Sequence, residues 1–247
     1  MLSKSTIKKV GITGAAGNIG TTLQKGLGEK YELTLYDIRQ IKSAKVKCVE
    51  VDFGDQKALA GIFDGLDALI HLAGDPRPNA PAELTLRNNF IATSFVFEEA
   101  KAQGVRKVVF ASSNFYHEGS VAEALAGRLR HLITLDMSPT PLSLYGESKV
   151  FGENVGRHLS HFGIQFVALR IGWSVPQDNP ALYGSDYMRA VFLSHRDLIE
   201  AFVRALEVDT DYLVAFAVSN NTHGVFDLKE TRKKLGFNPQ DNAENYF

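Results

Sequence analysis

Tyr145 and Lys149 stand four residues apart in "LYGESKVFGEN", a spacing that brings both side chains to one face of a helix. A free tyrosine, with a pKa of about 10, is a poor base at neutral pH. An ammonium beside it favours the phenolate and lowers that value, which makes the pair a candidate for moving a proton. Such pairs also occur on ordinary helix surfaces, so the spacing gains meaning only from its surroundings. Upstream, "VVFASSN" carries Ser112, Ser113 and Asn114 at the end of a β-branched run. A serine hydroxyl placed there can donate to a substrate oxygen and steady negative charge as it develops.

A second group of residues could hold a large anion. "TGAAGNIG" sets Gly14, Gly17 and Gly20, with Asn18 and Ile19 between them, at the junction of an apolar run and a helical pattern. A dinucleotide pyrophosphate needs backbone N–H donors at close range and a helix N-terminus aimed at its charge. The chain holds 21 glycines, so three together mean little until the strand–turn–helix context is added. Asp37 ends the next apolar run, where a carboxylate can accept both ribose hydroxyls of NAD and repel the extra phosphate of NADP. Arg39 lies close enough to pair with that phosphate, but Asp37 favours NAD. Asp52, in "VDF", is a candidate for the adenine edge or, alternatively, a helix N-cap.

The elements that must position these groups follow from periodicity. Strands are predicted at "KKVGIT", "YELTLYD", "KVKCVEVDF", "LDALIHLAG", "RKVVFASS", "IQFVALRIG" and "YLVAFAV". Helices are predicted over 17–28, near Lys57 to Phe63, over Glu83 to Gln103, Leu144 to Ser160 and Ser194 to Leu206, with a terminal helix beginning near Asp227. Strand and helix alternating in this way specify an α/β fold, a doubly wound parallel sheet of the Rossmann kind. Residues 1–173 read as the dinucleotide-binding domain and 174–247 as a small substrate-covering subdomain, including any elements that return to the sheet. A formal net charge of -1 gives no electrostatic case for nucleic acid or an anionic membrane. A single cysteine, Cys48, excludes an intrachain disulfide. No apolar run reaches the ~18 residues of a membrane helix, and "MLSKSTIKKVGITGAAG" lacks a signal-peptide core. The histidines show no metal-ligand spacing, so a cytoplasmic protein without a metal is expected.

Together, "TGAAGNIG", Asp37, "VDF", "HLAG", "NNFIATSFVFEEA", "FASSN", "YGESK" and "LRIGW" resemble the extended short-chain dehydrogenases/reductases, the NAD-dependent epimerase/dehydratase superfamily, over most of the chain. The resemblance implies Ser113, Tyr145 and Lys149 as the catalytic triad, with Asn89 supporting their hydrogen-bond network. It implies that Phe53, Leu72, Ala73 and Gly74 pass along the adenosine side of NAD and that Ile171 lies near the nicotinamide. Within the superfamily, "FASSN", "LYGESKVFGEN", "LRIG", "LSHRDL" and "GFNPQDNAE" are similar in order and spacing to uronate dehydrogenases and related sugar dehydrogenases. That likeness implies hydride removal from the anomeric carbon of a sugar or sugar acid, giving a lactone. The tyrosinate would accept the hydroxyl proton, Ser113 hold the reacting oxygen and Asn114 touch the ring. Homo-oligomerisation through the helices at 83–103 and 144–160 is also expected from it.

Two positions depart from the family's pattern. Phe115 stands where a histidine is usual, and Tyr187 stands where the family has an arginine that clamps the sugar carboxylate. Arg189, two residues on, is the candidate replacement. Phe115 and Arg189, with Asp75 and Ser174, join Ser113, Asn114 and Tyr145 as the expected substrate-binding set. Asp75 and Arg77 can reach substrate or merely solvate their loop, and Trp173 can line the pocket or pack beneath it. His195 and Arg196 can face substrate or pair locally, whereas His71 reads as a core residue. The nearest rivals are a sugar epimerase or dehydratase, which keeps its cofactor, and an NAD(H)-binding sensor without chemistry.

Overall fold

The computed structural model describes residues 6–43 and 46–247. Lys45, the first residue of the predicted run "KVKCVEVDF", lies outside them, as do residues 1–5 of the N-terminal reading. Among the described residues seven strands are formed: β1 (Lys9–Thr13), β2 (Glu32–Asp37), β3 (Lys47–Glu50), β4 (Ala68–His71), β5 (Lys107–Ser113), β6 (Gln165–Ile171) and β7 (Tyr212–Ala217). They make one parallel sheet in the order β3-β2-β1-β4-β5-β6-β7. Every residue of β4 and β5 is buried, as expected of parallel strands covered on both faces.

Period-two alternation divides the strand residues between two cores. Val109 and Ala111 pack on one face with Leu23 and Leu27 of α1 (Asn18–Leu27) and Phe202 of α7 (His195–Glu207). Val108 and Phe110 pack on the other with Val96 and Phe97 of α3 (Ala92–Ala102) and Leu159 of α5 (Leu144–Ser160). His71 ends β4 in the second layer, its ring nitrogens 2.8 Å from Thr13 Oγ1 and 3.1 Å from Thr93 Oγ1. Burial, followed by the charge of Lys149, pushes its pKa down to about 3, so it is a neutral core histidine.

Three expectations are modified. The helix predicted near Lys57 to Phe63 is only a 3-10 turn, Gln56–Leu59, because Ala60 leaves helical geometry at ψ 116°. The helix predicted over Glu83 to Gln103 forms as α2 (Ala82–Thr85) and α3 joined through a π-helical segment, Leu86–Ile91. Within 174–247, β7 is the seventh strand of the sheet and α7 packs against α1, so only the stretch around α6 (Asp186–Val191) stands over the crevice. The chain end is fastened to α7 by buried Asp197, which accepts from Ser219 Oγ at 2.7 Å and from the backbone N–H groups of Gln240 at 2.8 Å and Asp241 at 3.0 Å.

Helix α5 comes close to the sheet at Gly156, where an added Cβ would stand 2.0 Å from the Phe166 ring. Overpacking of this kind costs about 1–3 kcal/mol, against about 1 kcal/mol gained in helix propensity. An overlap this deep with a fully buried ring takes the upper part of that cost, so Gly156→Ala is expected to lower stability by about 1–2 kcal/mol in urea unfolding. An unchanged midpoint would show that the sheet face yields freely to α5.

Candidate active site

Strand order reverses where β2 and β4 leave β1 on opposite sides, and a crevice opens there at the carboxyl ends of the strands, where open α/β sheets bind ligands. Its volume is about 880 Å³. At one end lies the glycine turn. Gly14 has φ 67°, and a Cβ there would sit 2.8 Å from the Ala73 nitrogen, so only glycine lets β1 pass β4 at this distance. Helix α1 then starts without a side-chain cap on Gly17 and without an acidic residue in its first turn. Its leading N–H groups, at Asn18, Ile19 and Gly20, border the crevice and suit an anion.

Asp37 closes that end. Its carboxylate is buried, with Oδ2 accepting from Ala16 N–H at 2.9 Å and Oδ1 from Arg39 N–H at 2.9 Å and Arg39 Nε at 3.1 Å. The Arg39 guanidinium is thus committed to Asp37. Asp52 accepts from Gly54 N–H at 2.9 Å and from Arg87 Nη2 at 2.6 Å, and the bond to Arg87 holds its carboxyl below the usual range. It is not a helix cap; Asp55 caps the following turn. Phe53, Leu72, Ala73 and Gly74 continue the wall. Uncapped helix amides, a turn that a Cβ would fill and a buried carboxylate after β2 together fit a dinucleotide with free ribose hydroxyls.

The other end holds the residues expected to move a proton. Ser113, at the end of β5, accepts from Phe115 N–H at 3.2 Å and donates to Asn114 Oδ1 at 3.2 Å. Ser143 caps α5 by accepting from Gly146 N–H at 3.2 Å, and this start presents Tyr145 and Lys149 to the crevice. Lys149 Nζ lies 5.1 Å from the Tyr145 ring centroid and 5.3 Å from that of Phe110. Phe115 meets Tyr145 edge-to-face at 5.4 Å. The pair was expected to lower the tyrosine's pKa, but burial raises it. The Ser113 hydrogen bond pulls the other way, and the negative charge of Asp75 adds to the rise. Burial also lowers Lys149, to about 8. Helical spacing gives the neighbour but not the dielectric around it.

Asn89 sits behind the crevice in the π-helical segment. It accepts from Asp75 N–H at 2.7 Å and donates to Asp75 O at 2.9 Å, and Ser148 Oγ lies 3.4 Å from its Nδ2. The wide π turn aims this amide across to the β4 loop and α5 together, a use to which such turns are often put. Asp75 is anchored from the other side by Arg77, whose Nε and Nη2 donate at 2.9 and 2.5 Å and keep its carboxyl ionised. Both residues line the crevice, as do Asn114, Phe115, Ile171, Trp173 and Ser174. Ser174 O accepts from Asn18 Nδ2 at 2.8 Å, while its buried hydroxyl has no partner among the described residues.

Arg189 is not part of this wall. Its Nη1 bonds Glu244 Oε1 at 2.6 Å and its guanidinium lies 3.8 Å over the Phe247 ring, so the chain's last residues hold it away from the crevice. Tyr187 lines the crevice instead, accepting a short hydrogen bond from Asn114 Nδ2. His195 and Arg196 also serve packing: His195 bonds Val175 O at 2.8 Å and Arg196 pairs with Asp241 at 2.6 Å. Tyr187 and Ser148 were missed because only their long-range partners mark them. Among the described residues there is no cluster of three metal-ligating side chains and no helix long and apolar enough to cross a membrane.

Residues 10–173 match the model of the NAD dependent epimerase/dehydratase family. An NAD-dependent glucose-6-phosphate dehydrogenase of Haloferax volcanii is 36% identical over 95% of this chain and 94% of its own length. An L-arabinose 1-dehydrogenase (NAD(P)(+)) of the same organism is 31% identical over 95% and 97%. A uronate dehydrogenase of Agrobacterium tumefaciens, crystallised as a mutant in complex with NAD, superposes with a TM-score of 0.83 at 29% identity, over 97% of this chain and 87% of that one.

The low value at Lys149 sets a pH-dependent stability. Its folded pKa, about 8, lies below its unfolded value of 10.5, so between these values the unfolded chain binds more protons and stability rises with pH. Below pH 8 the buried charge costs the folded state most. From pH 8 to 10 the wild type without cofactor should therefore gain about 2 kcal/mol relative to Lys149→Met. Parallel unfolding curves across that range would contradict a desolvated lysine.

Proposed function

The chain belongs to the NAD-dependent epimerase/dehydratase family, and from that membership we propose that it is an NAD-dependent dehydrogenase oxidising the anomeric hydroxyl of a neutral aldose to a lactone. The observation that carries the reading is the convergence of Ser113, Tyr145 and Lys149 at the end of a crevice whose other end suits a dinucleotide. Bound there, oxidised NAD would supply the hydride acceptor. Ser113 Oγ orients the reacting hydroxyl by a hydrogen bond, and Tyr145 takes its proton. Lys149 favours the phenolate and can hold a ribose hydroxyl. Asn89 keeps the Asp75 loop and α5 in register, which fixes the tyrosine's distance from β5.

The relatives named above act on a sugar phosphate, a neutral pentose and a uronate, so the charge of the substrate must be read from this chain's own wall. The two arginines of the crevice already hold carboxylates, Arg39 with Asp37 and Arg77 with Asp75. Around the sugar end stand Asn114, Phe115, Trp173 and Tyr187, which offer ring faces and hydroxyl partners but no guanidinium fork. Such a wall accepts hydroxyls and leaves a carboxylate or phosphate unpaired.

Pentoses, hexoses, their phosphates and uronates should be tested with NAD, following the nicotinamide absorbance. Neutral aldoses are expected to exceed the anionic sugars by at least about tenfold in kcat/KM, in line with one unpaired charge. Free NADH separates a dehydrogenase from an epimerase that retains its cofactor. Tyr145→Phe should lower kcat by about 10³-fold and leave NAD affinity within a few fold. A variant keeping most of its turnover would remove Tyr145 from the chemistry.

A further inference from the structure

Behind the catalytic residues lies a buried polar group that the reaction does not use. Glu153 and Arg170 form an ion pair whose side chains are 4% and 3% exposed. Arg170 Nε donates to Glu153 Oε1 at 3.0 Å and Nη2 to Oε2 at 2.9 Å, a two-point fork of fixed orientation. Ser112 Oγ donates to the same Oε1 at 2.6 Å. Arg170 Nη1 donates to His117 Nε2 at 2.7 Å and to Leu135 O at 3.2 Å, and the guanidinium lies 3.5 Å over the Tyr116 ring. Burial, followed by the charge of Arg170, lowers His117 to about 3, so it stays neutral and accepts this bond.

The helix, strands and turn joined by this group each carry a residue of the site. Glu153 lies on α5 one turn beyond Lys149 and two beyond Tyr145, on the same face. Ser112 precedes Ser113 and pairs in register with Arg170 across β5 and β6. Tyr116 and His117 belong to the turn Asn114–His117 that carries Asn114 and Phe115. Apolar contacts between a helix and a sheet tolerate small slides and rotations, whereas a bidentate fork does not. The geometry points to Glu153 and Arg170 as positioning residues, which fix the rotation of α5 against β5 so that Tyr145 and Lys149 meet Ser113 in reacting order. The inference rests on the dehydrogenase reading of the site.

Breaking one half of a buried pair can unfold a protein, whereas replacing both halves by apolar residues often leaves stability intact. The decisive variant is therefore Glu153→Met with Arg170→Met. It is expected to fold, with a Tm near that of the wild type, and to lose about 100-fold in kcat, the scale of a ~1 Å misplacement. KM for the sugar should change far less. Its crystal structure without cofactor should show Lys149 Nζ and the Tyr145 ring displaced relative to Ser113. Arg170→Lys, which keeps the charge but not the fork, should lose about tenfold in kcat and supplies the measurement if the double variant does not fold. An unmoved Ser113, Tyr145 and Lys149, or a kcat within threefold of wild type, would overturn the proposal. Should the wild type itself oxidise no sugar, the dehydrogenase reading fails, and the displacement in the crystal structure still decides the positioning role.

Discussion

Each strand of a parallel sheet must be followed by a crossover before the next can run beside it, and in this chain β2 and β4 leave β1 on opposite sides. The crossovers on either side therefore part, and the carboxyl ends of the strands open on one crevice with covered walls. The glycine turn, Asp37, the His71–Gly74 end of β4, Ser113 and Ile171 all stand at such ends, far apart in sequence. Covering both faces also makes the crevice floor dry. Val108 to Ala111 pack against helices on both sides, so the groups at the end of β5 lie beside low-dielectric interior.

That dryness controls the chemistry. A phenol and an ammonium pushed towards neutrality are poor solitary ions but a responsive pair, because any charge brought beside them acts through little solvent. Burial raises Tyr145 and lowers Lys149, so each favours its neutral form more than it would in water. The same dryness explains the buried ion pair behind them. Glu153 and Arg170 gain little net stability from being paired in such a place. Their value lies in direction: the fork has one good geometry, and with Ser112 it connects three elements that apolar packing alone would leave free to slide.

Much of this was legible in the sequence because it depends on local patterns. Alternating apolar runs marked all seven strands, the glycine spacing marked the turn at Gly14, and the Tyr145–Lys149 interval needs only a helix to become a pair. What was not legible depends on partners distant in the chain. Arg189 looked available for an anion, but Glu244 and Phe247 claim it. Tyr187 read as the absence of an arginine until Asn114 appeared beside it. The π-helical segment that aims Asn89 left no mark on a helical period, and the sign of the Tyr145 shift follows from burial, which spacing does not encode.

The two halves of the site are also built differently. Ser113, Tyr145 and Lys149 stand on a strand and a helix locked by the sheet and by a buried fork. Trp173 and Tyr187 stand on the stretch between β6 and α7, where Asn179 accepts from Ala181 N–H at 3.0 Å and Ser185 from Met188 N–H at 3.1 Å as local caps, and which Asn18, Asn114 and Glu244 tie to the rest of the chain. In this chain Tyr187 and Asn114 pair beside the faces of Phe115 and Trp173, and because Asn114 also accepts from Ser113 Oγ, a change in the covering stretch is felt at the end of β5.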